Sequence, residues 1–477
     1  MNSFVNGAMQ VPDSVTENGA ATFASSLNAN VDLFFQIGAS RGQVPKLLDT
    51  FRKAYNEDPY LARRIALWAR DVRGGAGERE AFRQILKWLE KNTPAFSFQS
   101  TLNVVPEYGR WDDLFVVEGE TSKQTVAALY KHALMSGNGL AAKWAPRKGE
   151  VSLWLRYLMG MSPKQYRKTI VSLSNTVEQK MCSKEWDAIN FAHVPSVAAA
   201  RYNKAFWRNA KEAYEAYKSA LIKGETKINA SSIFPHDIVR ACKAWGTQKD
   251  VVDAQWNALP NYLGNNGNIL VMSDVSGSMC QTVGGTATAM DVSIALGLYI
   301  SERQKGPFKD VVLTFSADPQ FHMVMGKGIS ERVHNLGNAN WGMNTDLNKA
   351  FKKILEVALV NKVPAEDMPT MLLILSDMEF DSCGGEKTNF QVLEQMYADA
   401  GYAMPKVTFW NLAARTKNVP VRAGQNGTAL VSGFSPAILG SILGTEAFTP
   451  QNVMLNAVMV QRYDVPHVTV PVEMMGT

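Results

Sequence analysis

The chain has 477 residues, 46% apolar and 19% charged, the composition of an ordinary folded protein, which excludes fibrous and disordered classes. Its net charge of +5 hides an asymmetry: residues 1–260 carry a surplus of nine positive charges and residues 261–477 a deficit of four. The length exceeds what one hydrophobic core usually supports, so two domains are expected, and the basic half is compatible with an anionic partner such as nucleic acid.

Residues 1–28 form an N-terminal segment without the basic region and apolar run of a secretory signal, and no apolar stretch reaches the ~20 residues that span a bilayer. Cys182, Cys242, Cys280 and Cys383 show neither CxxC pairs nor zinc spacing, so reduced thiols in a cytoplasmic protein are expected. No membrane is implied. Residues 29–262 repeat a helix-and-breaker rhythm. PYLARRIALWAR places Leu61, Ile65 and Trp68 on one stripe, RGGAG then breaks the chain, and QTVAALYKHALM, SPKQYRKTIVSLS and SVAAARYNKAFWRNAKEAYEAY continue the pattern. The economical architecture is a HEAT-like ring or arc of helical hairpins.

The texture changes near NYLGNNGN. NILVMSD, VVLTFS, MLLILSD, KVTFWNL and TALVSG are short apolar runs, as in parallel strands buried on both faces. Between them TDLNKAFKKILEVALV keeps Leu347, Ala350, Phe351, Ile354, Leu355 and Ala358 on one helical face. Residues 263–445 therefore read as a doubly wound, Rossmann-like α/β domain with its site at the carboxyl ends of the strands. Residues 446–477 are expected to pack back on the helical domain.

At that edge SDVSGSM places Asp274, Ser276 and Ser278 in the turn after a strand; Thr345 follows in GMNTDL, and Asp377 ends MLLILSD. Alternate residues in such a turn converge, and hard oxygens suit Mg²⁺, which takes roughly six oxygen ligands at about 2.0–2.1 Å and usually keeps some as water. The plain alternative is that the hydroxyls cap turns and the carboxylates cap helices. Asp346 reads as a helix-start residue, and Asp381 lies past the strand end.

The set Asp274, Ser276, Ser278, Thr345 and Asp377 resembles the metal-ion-dependent adhesion site of von Willebrand A domains. In that family an open metal position accepts an acidic group from a partner. With the helical half and its motifs FFQIGASRG, RDVRGGAGERE, YGRWDDL and KWAPRKG, the whole chain resembles the Ro autoantigen family, whose helical part is the TROVE module. It is closer still to uncharacterised Ro-like proteins sharing RGGxGER, YGRWDDL, VPS and DMEFD. The resemblance implies a ribonucleoprotein scaffold for small structured non-coding or misfolded RNA, with a ring of helices closed by the von Willebrand A domain.

Basic residues at helix ends and loops are the expected RNA contacts: Arg70 and Arg73 around RGGAG, Lys143, Arg147 and Lys148 in KWAPRKG, Arg167 and Lys168 in the QYRK helix, and Arg201 and Lys204 in VPSVAAARYNKAF. Arg79 and Arg110 neighbour carboxylates and read as structural pairing residues. No P-loop, HExxH or GxSxG string occurs, so no enzyme is indicated. The rival expectation is a metal-dependent protein-protein interaction module without RNA binding.

Overall fold

A computed structural model describes residues 10–464 except 42, 195, 224, 227–232, 245–248, 265–267, 285–286, 316–317, 340–345, 383–386 and 414. A two-stranded hairpin comes first, β1 (Ser14–Val15) and β2 (Ala21–Thr22). A helical region follows, from α1 (Ala29–Ile37) through α2 (Val44–Glu57), α3 (Pro59–Arg70), α4 (Arg79–Asn92), α5 (Ala95–Tyr108), α6 (Glu120–Met135), α7 (Gly139–Trp144), α8 (Glu150–Leu158) and α9 (Pro163–Ser174). It continues with α10 (Val177–Cys182), α11 (Ser196–Asn209), α12 (Lys211–Ile222), α13 (Pro235–Lys243) and α14 (Lys249–Asn257). The starts are chemically marked. Asp58 accepts the Leu61 N–H ahead of α3, whose first residue is the Pro59 that needs no donor there, and Ser162 and Thr176 make capping boxes with Gln165 and Gln179.

A mixed α/β domain follows. Its six-stranded sheet has the order β10-β9-β8-β3-β6-β7, from β3 (Ile269–Asp274), β6 (Val311–Phe315), β7 (Phe321–Met323), β8 (Met371–Ser376), β9 (Lys406–Asn411) and β10 (Thr428–Ser432). A small hairpin, β4 (Thr282–Gly284) and β5 (Ala287–Thr288), intervenes. The ladders are parallel except β6 with β7. Every residue of β3, β8 and β10 is buried, because α15 (Ala289–Arg303) lies on β3 and β8, while α1 and the helix Pro450–Val458 lie on β10. α17 (Leu347–Val360), which follows α16 (Ile329–Gly337), buries the six residues its periodicity selects, and Asp346 accepts the Lys349 N–H as its cap.

The helical region and the sheet share one apolar core, from Phe23 and Val31 through Leu270 and Leu373 to Tyr463. α1 is the covering helix of the β10 edge: Gly38 donates its N–H to Ser432 Oγ at 3.0 Å, and that hydroxyl donates to Phe34 O at 2.8 Å. A Cβ at residue 38 would lie 2.4 Å from Ser432 O, so this approach requires glycine. At the other end, buried Arg64 of α3 donates to the Val458 and Val460 carbonyls at 2.7 Å, and Arg462 and Tyr463 hydrogen-bond Asp71. No helix among the described residues is long and apolar enough to cross a membrane.

Candidate functional site

Two places gather chemistry. The first is the carboxyl edge of the sheet. β3 and β8 run parallel in register, with Ser273 opposite Leu375, so their next residues meet. Ser376 Oγ donates to Asp274 Oδ2 at 2.6 Å, and the Ser276 N–H donates to Asp274 Oδ1 at 2.9 Å. Ser276 Oγ and Ser278 Oγ lie 3.0 Å apart, and Ser278 is close enough to Asp377 to oppose the rise that burial causes in its carboxyl. Asp274, Ser276, Ser278 and Asp377 thus converge; Thr345 lies outside the described residues.

Two carboxylates share this buried space. Burial, then the neighbouring Asp377 charge, pushes the Asp274 carboxyl up to about 7, and burial raises that of Asp377 as well. Asp377 Oδ1 accepts the Glu379 N–H at 3.3 Å, while the buried Oδ2 has no hydrogen-bond partner among the described residues. Arg415 faces it, with Nη1 3.7 Å from that oxygen. Among the described residues no three His, Cys, Asp or Glu side chains gather in a metal cage. The donor set is two carboxylates plus hydroxyls, which fits a hard divalent cation.

The N-terminal hairpin seats on this edge. Thr16 Oγ1 donates to Phe380 O, the Glu17 N–H to Glu379 Oε2 and Asn18 Nδ2 to Glu379 O, each at 2.7 Å. Glu17 pairs with Arg415 at 2.6 Å. Asp381 bridges Gly19 through its backbone.

The second place is a cleft of about 730 Å³ in the helical half, where the turn after α3, the start of α4, the end of α5 and α7 meet. Arg41, Arg73, Arg79 and Arg110 line it with Trp144 and Phe234. The Arg110 guanidinium lies 3.9 Å from the Trp144 ring centroid and donates to Asp112 at 2.6 and 2.9 Å. Arg41 is held by Glu78 at 2.8 Å and lies over Phe434. Behind them Asp113 accepts from Arg70 at 2.8 Å and Arg83 at 2.7 Å. Burial alone would raise the Asp113 carboxyl, but Arg70, the Arg110 N–H and Arg83 together hold it below its ordinary value. Gly109 lets this network close, since a Cβ there would lie 2.5 Å from Asp113 Oδ2.

Residues 268–475 match a domain of unknown function, DUF7788, and residues 16–105 and 156–269 match a second, DUF2828. The uncharacterized protein L728 of Acanthamoeba polyphaga mimivirus is 30% identical over 502 residues, covering 93% of this chain and 86% of that protein. The chain belongs to the L728 family. Among solved structures, the Ro protein (RSR) of Deinococcus radiodurans is similar with a TM-score of 0.46 and 16% identity, over 86% of this chain and 93% of that one.

In this L728-family protein the expected RNA contacts separate by place. Arg70 is corrected: only 2% exposed, it is saturated by Asp113 and supports the cleft floor instead of offering itself to phosphate. Arg73 is exposed at the cleft. Lys143 lines a separate groove with Asn138, Lys180 and His193. Arg147, Lys148, Arg167, Lys168, Arg201 and Lys204 are exposed on the helical surface outside the cleft. Arg110 does pair with a carboxylate, but Arg79 does not: no carboxylate lies within ion-pair distance of it among the described residues. Arg41, Glu17 and Arg415 went unselected, and only Arg41, inside FFQIGASRG, carries a local signal.

Proposed function

We propose that this chain is an RNA-binding protein of the Ro type, a cytoplasmic scaffold that takes single-stranded parts of small structured non-coding or misfolded RNA into the arginine cleft. The observation that carries the reading is the cleft itself. It sets guanidinium groups beside aromatic rings, the pairing that holds phosphates while bases stack, at about 1–3 kcal/mol per stacked base. The resemblance of RDVRGGAGERE and YGRWDDL to the Ro family supports it, because these strings build the cleft wall.

In this reading the helices form the HEAT-like TROVE ring or arc over residues 29–262, and residues 263–445 are a von Willebrand A domain. Asp274, Ser276, Ser278, Thr345 and Asp377 hold Mg²⁺ in an adhesion site, supported by the orphaned Asp377 Oδ2. Bound there, the ion would supply positive charge and an open position for an acidic group. The role assigned to the ion is binding.

The test is titration of an internally labelled single-stranded RNA at rising salt. The expected affinity falls linearly on logarithmic axes, with a slope of about −0.7 per neutralised phosphate, and Arg73→Ala reduces that slope by about one contact. Salt-independent binding, or none, overturns the reading. A second reading, a metal-dependent protein-protein interaction module without RNA binding, is favoured by Asp377 Oδ2 lying at a sheet edge already engaged with an acidic residue, Glu17, through Arg415.

A further inference from the structure

At the carboxyl edge of the sheet a guanidinium fills the gap between two carboxylates. Arg415 Nη2 lies 2.6 Å from Glu17 Oε2, and Arg415 Nη1 lies 3.7 Å from Asp377 Oδ2, the buried oxygen without a hydrogen-bond partner among the described residues. The two acids differ in freedom. The Asp377 side chain is fully buried, whereas that of Glu17 is 46% exposed at the hairpin tip and can turn about its own bonds. The backbone beneath Glu17 is fixed, because its N–H donates to Glu379 Oε2 at 2.7 Å and the Gly19 N–H donates to Thr16 O at 3.0 Å. Glu379 itself is engaged at both oxygens, by that N–H and by Thr416 Oγ1 at 2.7 Å.

We infer that Glu17, from the chain's own N-terminal hairpin, is a further ligand of the metal site, and that Arg415 stands in for the ion until one binds. The inference rests on the metal reading of Asp274, Ser276, Ser278 and Asp377, and it names the acidic group that meets the ion. A guanidinium and a divalent cation both satisfy carboxylates, but here Arg415 reaches one oxygen of each acid, whereas a hard cation gathers several oxygens at once. While Arg415 lies between them, the acids form no three-membered cage among the described residues. Repulsion from a bound dication turns the guanidinium, already 30% exposed, outward to solvent. Glu17 is then released beside the cluster with its backbone already seated. Asp274, Asp377 and Glu17 together supply three carboxylates, and the hairpin tip closes the edge.

The experiment titrates Mn²⁺ into the full chain and reads affinity by calorimetry and the water bound to the ion by proton relaxation. Wild type, Glu17→Gln, Arg415→Met and the double variant are compared. Glutamine keeps the backbone contact to Glu379, so the hairpin stays seated. In the Arg415→Met background, Glu17→Gln is expected to weaken Mn²⁺ at least fivefold and to raise the relaxation enhancement, since water replaces the lost carboxylate. If Glu17→Gln alters affinity only while Arg415 is present, Glu17 acts through the arginine; the inference is refuted and the metal reading stands. Weaker binding with unchanged relaxation also refutes it, as an effect of charge at a distance. If neither wild type nor Arg415→Met takes up Mn²⁺, or Asp274→Ala binds it as wild type does, the metal reading falls and this inference with it.

Discussion

Arg415 holds the position from which a cation opposes another cation. Its guanidinium reaches toward the orphaned Asp377 oxygen while Glu17 holds its far side, so a divalent ion entering the oxygen cluster meets a fixed positive charge at close range. At about 4 Å two unit charges interact by about 1 kcal/mol even in bulk water, and by twice that for a dication. We therefore predict that Arg415→Met raises Mg²⁺ or Mn²⁺ affinity tenfold or more, and that Asp274→Ala abolishes it, both read by calorimetry. Unchanged affinity in the methionine variant would refute the opposition. The convergence of Asp274, Ser276, Ser278 and Asp377 was legible because these residues lie at or just beyond strand ends. Arg79 was not. Its sequence neighbours Glu78 and Glu80 suggest pairing, yet in space Glu78 is taken by Arg41 and Glu80 by Gln84. Adjacency along the chain does not say which partner reaches a carboxylate first.

Among the elements, α13 carries an acid-sensitive contact. His236 is buried between the Phe234 ring, stacked at 5.5 Å, and the Phe434 ring, edge-on at 5.5 Å, and its Nδ1 has no partner among the described residues. Burial lowers its pKa to about 4, with Arg41 and Arg240 adding to the effect and Asp237 and Asp291 opposing it. The folded pKa lies below the unfolded value of about 6.5, so the unfolded chain binds the extra proton first as the solution is acidified. The stabilisation is whole above pH 6.5 and is lost as pH falls toward 4, by about 3 kcal/mol across the window. Urea unfolding at intervals between pH 7 and 4 should show this loss in the wild type and a flatter profile in His236→Gln; identical slopes would count against it. Strands and α17 were readable because burial on both faces and a single apolar stripe leave local patterns. The role of α1 was not, since nothing in FFQIG announces that its cover is β10, almost four hundred residues away. The antiparallel strand β7 was missed for a related reason: its exposed, half-buried, exposed pattern lacks an apolar run.

At the scale of the molecule the two halves are not independent bodies. Their apolar core is continuous, α13 and α14 join the helical region to the sheet domain through Lys243 on Asp291 and Trp256 on Glu302, and Arg64 fastens the C-terminal segment to α3. Separating residues 29–262 from the remainder exposes apolar surface on α1 and α3 and leaves buried Arg64 without its carbonyl acceptors, each such loss costing about 1–3 kcal/mol. We predict that this fragment lacks a cooperative thermal transition by circular dichroism, whereas the full chain melts cooperatively. A sharp transition in the isolated fragment would contradict the shared core.

The hairpin seated on the sheet edge gives the protein a particular order of assembly. Thr16 and Thr22 are made before partners that lie 364 and 397 residues later. At about 5–20 residues per second of synthesis, the hairpin waits on the order of 20–80 s for the strands that receive it. Its docking therefore waits on the segments that follow β8 and β9, which carry Phe380 and Val419.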